Sequence, residues 1–259
     1  MLLAIDVGNT NIVLGIFEGQ ALVVSWRLAT LQDRTADELW VLVSRLLSGS
    51  GISVEQIDGV IVSSVVPPLT RAVNDMLVQA LGREPLLVDH SNAGLPIHYE
   101  NPADVGADRL VNAVAALALY GKPDRPVIVV DFGTATTFDA VSAGGEYLGG
   151  VICPGVEISA DALFQRAARL PRVEVRKPRE LIGRTTEASM QSGLFFGYVA
   201  MVEGIVERLR RDLGAQGHAV CVATGGLATA IIEETDVIDH ADLDLTLTGL
   251  RLVWEQNRS

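Results

Sequence analysis

The strongest constraint on the fold of this 259-residue chain is a pattern that it uses twice. AIDVGNTNIVLGIF and VVDFGTATTFDAV both run apolar, Asp, apolar, Gly, small polar, and their aspartates, Asp6 and Asp131, stand 125 positions apart. Each copy reads as a strand that ends in a carboxylate and a tight turn, followed by a second strand. Later in each half comes another apolar run, VIVSSVVPP and AVCVATGGLA. A repeat of this kind predicts two similar α/β halves whose Asp-x-Gly turns face each other. The expected boundary is the turn-like Gly121-Lys122-Pro123-Asp124, giving halves at 1–121 and 122–259.

Apolar periodicity supplies the elements. LLAID, IVLGIF and ALVVSWRLAT read as an antiparallel meander with a turn near Glu18-Gly19. TADELWVLVSRLLSGSG reads as a helix, with Thr35 and Glu38 at capping-box spacing and Gly49 or Gly51 as its stop. Then come a buried strand DGVIVSSVVPP, a helix PLTRAVNDMLVQALG, a strand PLLVDH and a helix RLVNAVAALAL. The second half reads as three strands, a helix from Pro154, a long helical region from Glu187, a strand with a Gly-Gly turn and helix, and a closing helix LTLTGLRLVWEQN. The region MQSGLFFGYVAMVEGIV is apolar on more than one face, as in a buried or interface helix.

Composition limits the function. The chain is 49% hydrophobic and 20% charged, enough for a sizeable core, and its net charge of −12 argues against broad nucleic-acid or anionic-membrane binding. The opening MLLAID has no basic lead and an early Asp, unlike a signal peptide, and no apolar run reaches membrane-spanning length, so a cytoplasmic protein is expected. Cys153 and Cys221 read as free thiols, and neither they nor His90, His98, His218 and His240 have metal-ligand spacing. Trp26, Trp40 and Trp254 read as packing residues. Arg172 to Arg179 is mixed in sign and reads as a solvated segment.

The chemistry lies in the turns. In DVGNT, Gly8 admits a phosphate close to the backbone, Asn9, Thr10 and Asn11 carry donors, and Asp6 can hold Mg²⁺ directly or through water. Such a turn can equally satisfy its own backbone. The second copy, Asp131 to Thr134, favours the phosphate reading, since a nucleotide clamped between two halves needs two such turns. Neither a Walker loop nor a Rossmann fingerprint is present. ATGGLA either lets a base or ribose pack on bare backbone or is a plain strand-to-helix turn. In YENPADVGADR, Asp108 opens a helix beside Arg109. The pair reads as a proton acceptor and an oxyanion clamp, or as a helix-dipole Asp and a surface ion pair.

Together these motifs resemble the type III pantothenate kinases. DVGNTN, SSVVP, NPADVGADR, DFGTATTFD, GGVICPG and TTEASMQSG occur in that family's order along essentially the whole chain. The resemblance implies the fold of the acetate and sugar kinase, chaperone ATPase and actin superfamily: two ribonuclease-H-like halves with mixed sheets and nucleotide in the cleft. It implies ATP-dependent phosphorylation of the 4′-hydroxyl of pantothenate, the first step of coenzyme A synthesis. The phosphate loop would run over Asp6, Val7, Gly8, Asn9, Thr10, Asn11, Ile12 and Val13, with Thr134 also on ATP. Asp108 would accept the proton. Tyr99, Gly106, Ala107, Asp108, Arg109 and Thr186 would hold pantothenate. Asp6 would serve Mg²⁺, and Asp131 a monovalent cation, potassium or ammonium. A homodimer is implied, with Thr186 serving either its own or its neighbour's site. The competing reading is a non-catalytic ATP-binding regulatory factor of the same fold.

Overall fold

The computed structural model describes residues 1–214 and 219–258; His218 lies outside the described residues. The chain forms two compact units, Met1–Ala115 with Asp244–Ser259, and Ala116–Leu243.

The first unit is built on a five-stranded mixed sheet. β1 (Leu2–Val7), β2 (Asn11–Glu18) and β3 (Ala21–Ala29) form the expected antiparallel meander. After helix α1 (Ala36–Gly49), β4 (Gly59–Ser64) returns parallel to β1, and after α2 (Pro67–Leu81), β5 (Leu86–Leu87) adds parallel to β4. The order is β3-β2-β1-β4-β5. Thr35 caps α1 through Glu38 N, and the Glu38 carboxylate accepts from Thr35 N at 2.9 Å, so the capping box forms as expected. The Pro pair after β4 sits at the start of α2, where a missing N–H costs nothing.

Alternation along the strands sorts the two faces of this sheet. Leu3, Ile5 and Val7 of β1, with Val60 and Val62 of β4, join Leu39, Val43, Leu69 and Val73 of α1 and α2 in one core. The residues between them, Ala4 and Asp6 on β1, Ile61 and Ser63 on β4, face the other way.

Helix α3 (Ala107–Tyr120) begins in the first unit and ends in the second. The second sheet then repeats the first. β6 (Val127–Phe132), β7 (Ala135–Val141) and β8 (Tyr147–Pro154) are antiparallel. Beyond α4 (Val156–Arg166) and the 27-residue α5 (Thr186–Asp212), β9 (Val220–Gly225) lies parallel to β6. α6 (Ala228–Ile232) leads to β10 (His240–Ala241), parallel to β9. The order β8-β7-β6-β9-β10 matches that of the first sheet strand for strand. α5 buries Phe195, Tyr198, Val199, Val202 and Val206 against Ile128, Val130 and Phe138 of the second sheet, which explains its broad apolar surface.

The units differ from the halves 1–121 and 122–259 at the C-terminus. Helix α7 (Leu245–Gln256) rejoins the first unit and covers its second face. Gly59 of β4 lies against the Trp254 ring, where a Cβ would meet Cζ2 at 2.3 Å, and Gly249 lies against the Val111 carbonyl of α3, where a Cβ would meet the oxygen at 2.1 Å. Thr246 Oγ1 donates to Asn112 Oδ1 at 2.8 Å, tying α7 to α3. Trp254 is thus a packing residue, as are Trp26 and Trp40 beside the first core. Both cysteines are free, with Cys221 fully buried. No helix among the described residues is long and apolar enough to cross a membrane.

Candidate active site

Asp6 is half-buried near the end of β1, in register with Val13 of β2 and Ser63 of β4. The chain then turns through Gly8-Asn9-Thr10, and Gly8 N donates to Asn11 O at 3.0 Å to close the turn. Thr30, the residue just after β3, fixes it. Thr30 Oγ1 donates to Gly8 O at 2.7 Å, and Thr30 N donates to Thr10 O at 2.9 Å. Asn9 and Thr10 remain exposed on the braced turn, while Gly8 is partly buried. Thr30 carries no sequence signal of this role, because its partner lies 22 residues away.

Asp131 holds the equivalent place in the second unit, in register with Thr137 of β7 and Thr224 of β9. Gly133 N donates to Ala135 O at 3.1 Å, closing a turn one residue shorter than the first. Two glycines distant in sequence complete it. Gly155 N donates to Thr134 O at 3.1 Å, and a Cβ on Gly155 would lie 2.2 Å from that oxygen. Gly225 has φ +88°, and a Cβ there would meet Phe132 O at 2.6 Å and Asp131 Oδ1 at 2.8 Å. A carboxylate and a carbonyl oxygen thus converge on a space kept free of side chain, a donor set suited to a hard cation. Gly226 N donates to Phe132 O at 3.2 Å, and the short α6 follows.

The third constellation is the start of α3. Asp108 Oδ1 accepts from Arg109 N at 2.8 Å, so the carboxylate folds back on the first turn of its own helix. Gly106 makes room for it: a Cβ there would lie 2.5 Å from Asp108 Oδ1 and 3.4 Å from Val65 Cγ1. The segment leaving β4 therefore reaches the Asp108 turn: Ser63 of β4 neighbours Asp6, and Val65, just past the strand, neighbours Gly106. Ala107 and Arg109 are buried, whereas Tyr99 is 40% exposed.

Thr186 lies on the second unit as the first residue of α5, exposed and next to Thr185, whose hydroxyl accepts from Ala188 N at 3.1 Å. Ahead of it, a cavity of about 500 Å³ is lined by Arg176, Lys177, Arg179, Arg184, Thr185 and Gln191. The charged side chains of Arg172, Glu174, Lys177 and Arg179 are exposed, as expected of a solvated segment, and Arg176, Lys177 and Arg179 line this cavity together with Glu180.

Asp6, Gly8, Asn9, Thr10, Asn11, Tyr99 and Gly106 to Arg109 thus lie in the first unit, and Asp131, Thr134 and Thr186 in the second. No group of three or more His, Cys, Asp or Glu side chains among the described residues could hold a metal by itself. A single carboxylate beside a donor-rich turn instead fits Mg²⁺ that keeps phosphate and water ligands.

Two units of one topology, each carrying an Asp-x-Gly turn at the end of its central strand, define a member of the actin-like and sugar kinase fold class. An inorganic polyphosphate/ATP-glucomannokinase from Arthrobacter sp. strain KM has this fold, at TM-score 0.52 and 16% identity over 99% of this chain and 98% of that one. So does a protein from Campylobacter jejuni described as a Baf family transcriptional activator, at TM-score 0.58 and 18% identity over 99% and 98%. The sequence is more specific. Residues 2–208 match the model of the type III pantothenate kinase family, and the chain belongs to that family. The type III pantothenate kinase of Moorella thermoacetica is 53% identical over 258 residues, 99% of this chain and the whole of the relative.

Proposed function

We propose that the protein transfers the γ-phosphoryl group of Mg·ATP to the 4′-hydroxyl of pantothenate, giving 4′-phosphopantothenate at the entry to coenzyme A synthesis. Family membership supplies the two substrates. The observation that carries the residue assignment is the link through β4 and the residue after it: Ser63 of β4 neighbours Asp6, and Val65, just past the strand, neighbours Gly106 beside Asp108.

The phosphate loop is Asp6 to Val13, with Thr134 as a second phosphate contact. Its backbone N–H groups and the Asn9, Thr10 and Asn11 side chains donate to phosphate oxygens. Mg²⁺, when bound beside Asp6, neutralises charge on the phosphates. Asp108 accepts the proton of the attacking hydroxyl, and the Arg109 N–H at 2.8 Å holds the carboxylate in place for this. Tyr99, Gly106, Ala107, Arg109 and Thr186 orient pantothenate. Because the transition state of phosphoryl transfer is loose, these residues work chiefly by alignment and charge. Potassium or ammonium binds at Asp131, supported by the two oxygens converging over Gly225.

The protein works as a cytoplasmic homodimer. Exposed apolar side chains on β8, α4 and the segment before α5, namely Ile152, Ile158, Phe164, Leu181 and Ile182, support assembly through the second unit. Light scattering after size exclusion tests this, with a mass of twice 27.6 kDa expected. The reaction is tested by pantothenate-dependent ADP release. Release equal with and without pantothenate would remove the substrate assignment.

A further inference from the structure

Ser63 is fully buried, and among the described residues its hydroxyl is one of few buried side-chain polar groups with no hydrogen-bond partner. Its neighbour Ser64 differs, because Ser64 Oγ and Thr70 Oγ1 are 2.6 Å apart on the α2 side of the sheet. A buried hydroxyl without a partner is destabilising, because it has lost its water and gained nothing in return. An alanine at this point of a strand reading GVIVSS would avoid that cost.

The position of Ser63 suggests what the hydroxyl is for. It is the register partner of Asp6 across the parallel β1–β4 ladder. Residues so paired point to the same face, with backbones about 4.8 Å apart. A serine hydroxyl and a carboxylate at that spacing come within hydrogen-bond reach by side-chain rotation alone. Two residues on, Val65 packs at Gly106 beside Asp108. Ser63 therefore stands where a rotation of Asp6 toward or away from the phosphate turn would be felt.

We propose that Ser63 is a positioning residue for Asp6: its O–H donates to the Asp6 carboxylate when Mg·ATP is bound, and fixes the orientation in which that carboxylate serves the metal. This rests on the reading of Asp6 as the metal-side carboxylate. A hydrogen bond to Asp6 would give this buried hydroxyl the partner that the described residues do not otherwise supply. The pseudo-equivalent position in the second unit is Thr224, the register partner of Asp131, so a hydroxyl stands beside the strand-end carboxylate in both units.

The test is titration calorimetry of ATP, with and without Mg²⁺, on wild type, Ser63→Ala, Asp6→Asn and the double variant, alongside thermal unfolding. A hydrogen bond to a charged group implies that Ser63→Ala weakens Mg·ATP binding about tenfold. ATP binding without Mg²⁺ stays unchanged, and the melting temperature stays equal or rises. In the Asp6→Asn background, where the amide oxygen can still accept but the charge is gone, Ser63→Ala has a smaller effect. Wild-type Mg·ATP affinity in Ser63→Ala overturns the proposal, as does an equal loss in the Asp6→Asn background. If Asp6→Asn itself binds Mg·ATP like wild type, the reading of Asp6 fails and takes this inference with it. Ser63→Cys, which preserves side-chain shape and weakens the donor, gives the same comparison should Ser63→Ala not fold.

Discussion

A Cβ on Gly225 would lie 2.8 Å from Asp131 Oδ1, so the carboxylate of the second strand-end turn rests on the bare backbone of β9. Gly225 also has φ +88°, and a Cβ there would lie 2.6 Å from Phe132 O. Gly225→Ala combines a strained backbone, costing about 1–3 kcal/mol, with displacement of Asp131. We expect a lower melting temperature together with loss of monovalent-cation dependence. A variant that melts like wild type would remove the geometric argument.

Asp131 itself gives a cleaner test of the cation. Activity should be higher in potassium than in sodium, and Asp131→Ala should make the two salts equal. Wild-type rates that do not differ between potassium, ammonium and sodium would remove the site.

The first turn depends on Thr30, whose hydroxyl donates to Gly8 O at 2.7 Å. Thr30→Val keeps the shape of the side chain and deletes that bond, worth about 1 kcal/mol. The expected result is a raised KM for ATP with KM for pantothenate unchanged. Equal KM values for ATP would show that the backbone closure by Gly8 N suffices.

Stability at alkaline pH should follow two acids, the fully buried Cys221 and the partly buried Tyr120. Burial raises the Cys221 thiol to about 12. Burial, followed by the hydrogen bond to Asp242, raises the Tyr120 phenol to about 12. Both groups hold their protons more tightly folded than unfolded, so between the ordinary values of about 9 and 10 and about 12 the folded state binds more protons. Stability is then full below pH 9 and falls as pH rises toward 12. Denaturant unfolding at pH 8 and pH 10.5 measures the fall, and Cys221→Ala should reduce it. A flat profile would contradict the burial argument.

Much of this architecture is legible in the sequence because apolar alternation and turn residues are local signals. The capping box at Thr35 and Glu38 and the strand ending in Asp131 are examples. The duplication is clearer in the sheets than in the letters: strand order and register repeat, while side chains such as Val13 and Thr137, both facing an aspartate, have diverged. What the sequence hides is non-local. Helix α7 joins the first unit because Gly59 and Gly249 open space for Trp254 and for α3, and neither glycine marks its partner. β10 escapes notice because it is two residues long. The bracing of the turns by Thr30, Gly155 and Gly225, and the unpartnered hydroxyl of Ser63, likewise depend on contacts across the chain.

The central claim is that Asp108 accepts the proton in phosphoryl transfer to pantothenate. The most direct measurement is ADP release from Mg·ATP, with and without pantothenate in potassium buffer, for wild type and Asp108→Asn. We predict pantothenate-dependent release by wild type, and a folded, ATP-binding variant slower by about 10²–10⁴-fold, the usual worth of a general base. Turnover by Asp108→Asn at the wild-type rate would contradict the account.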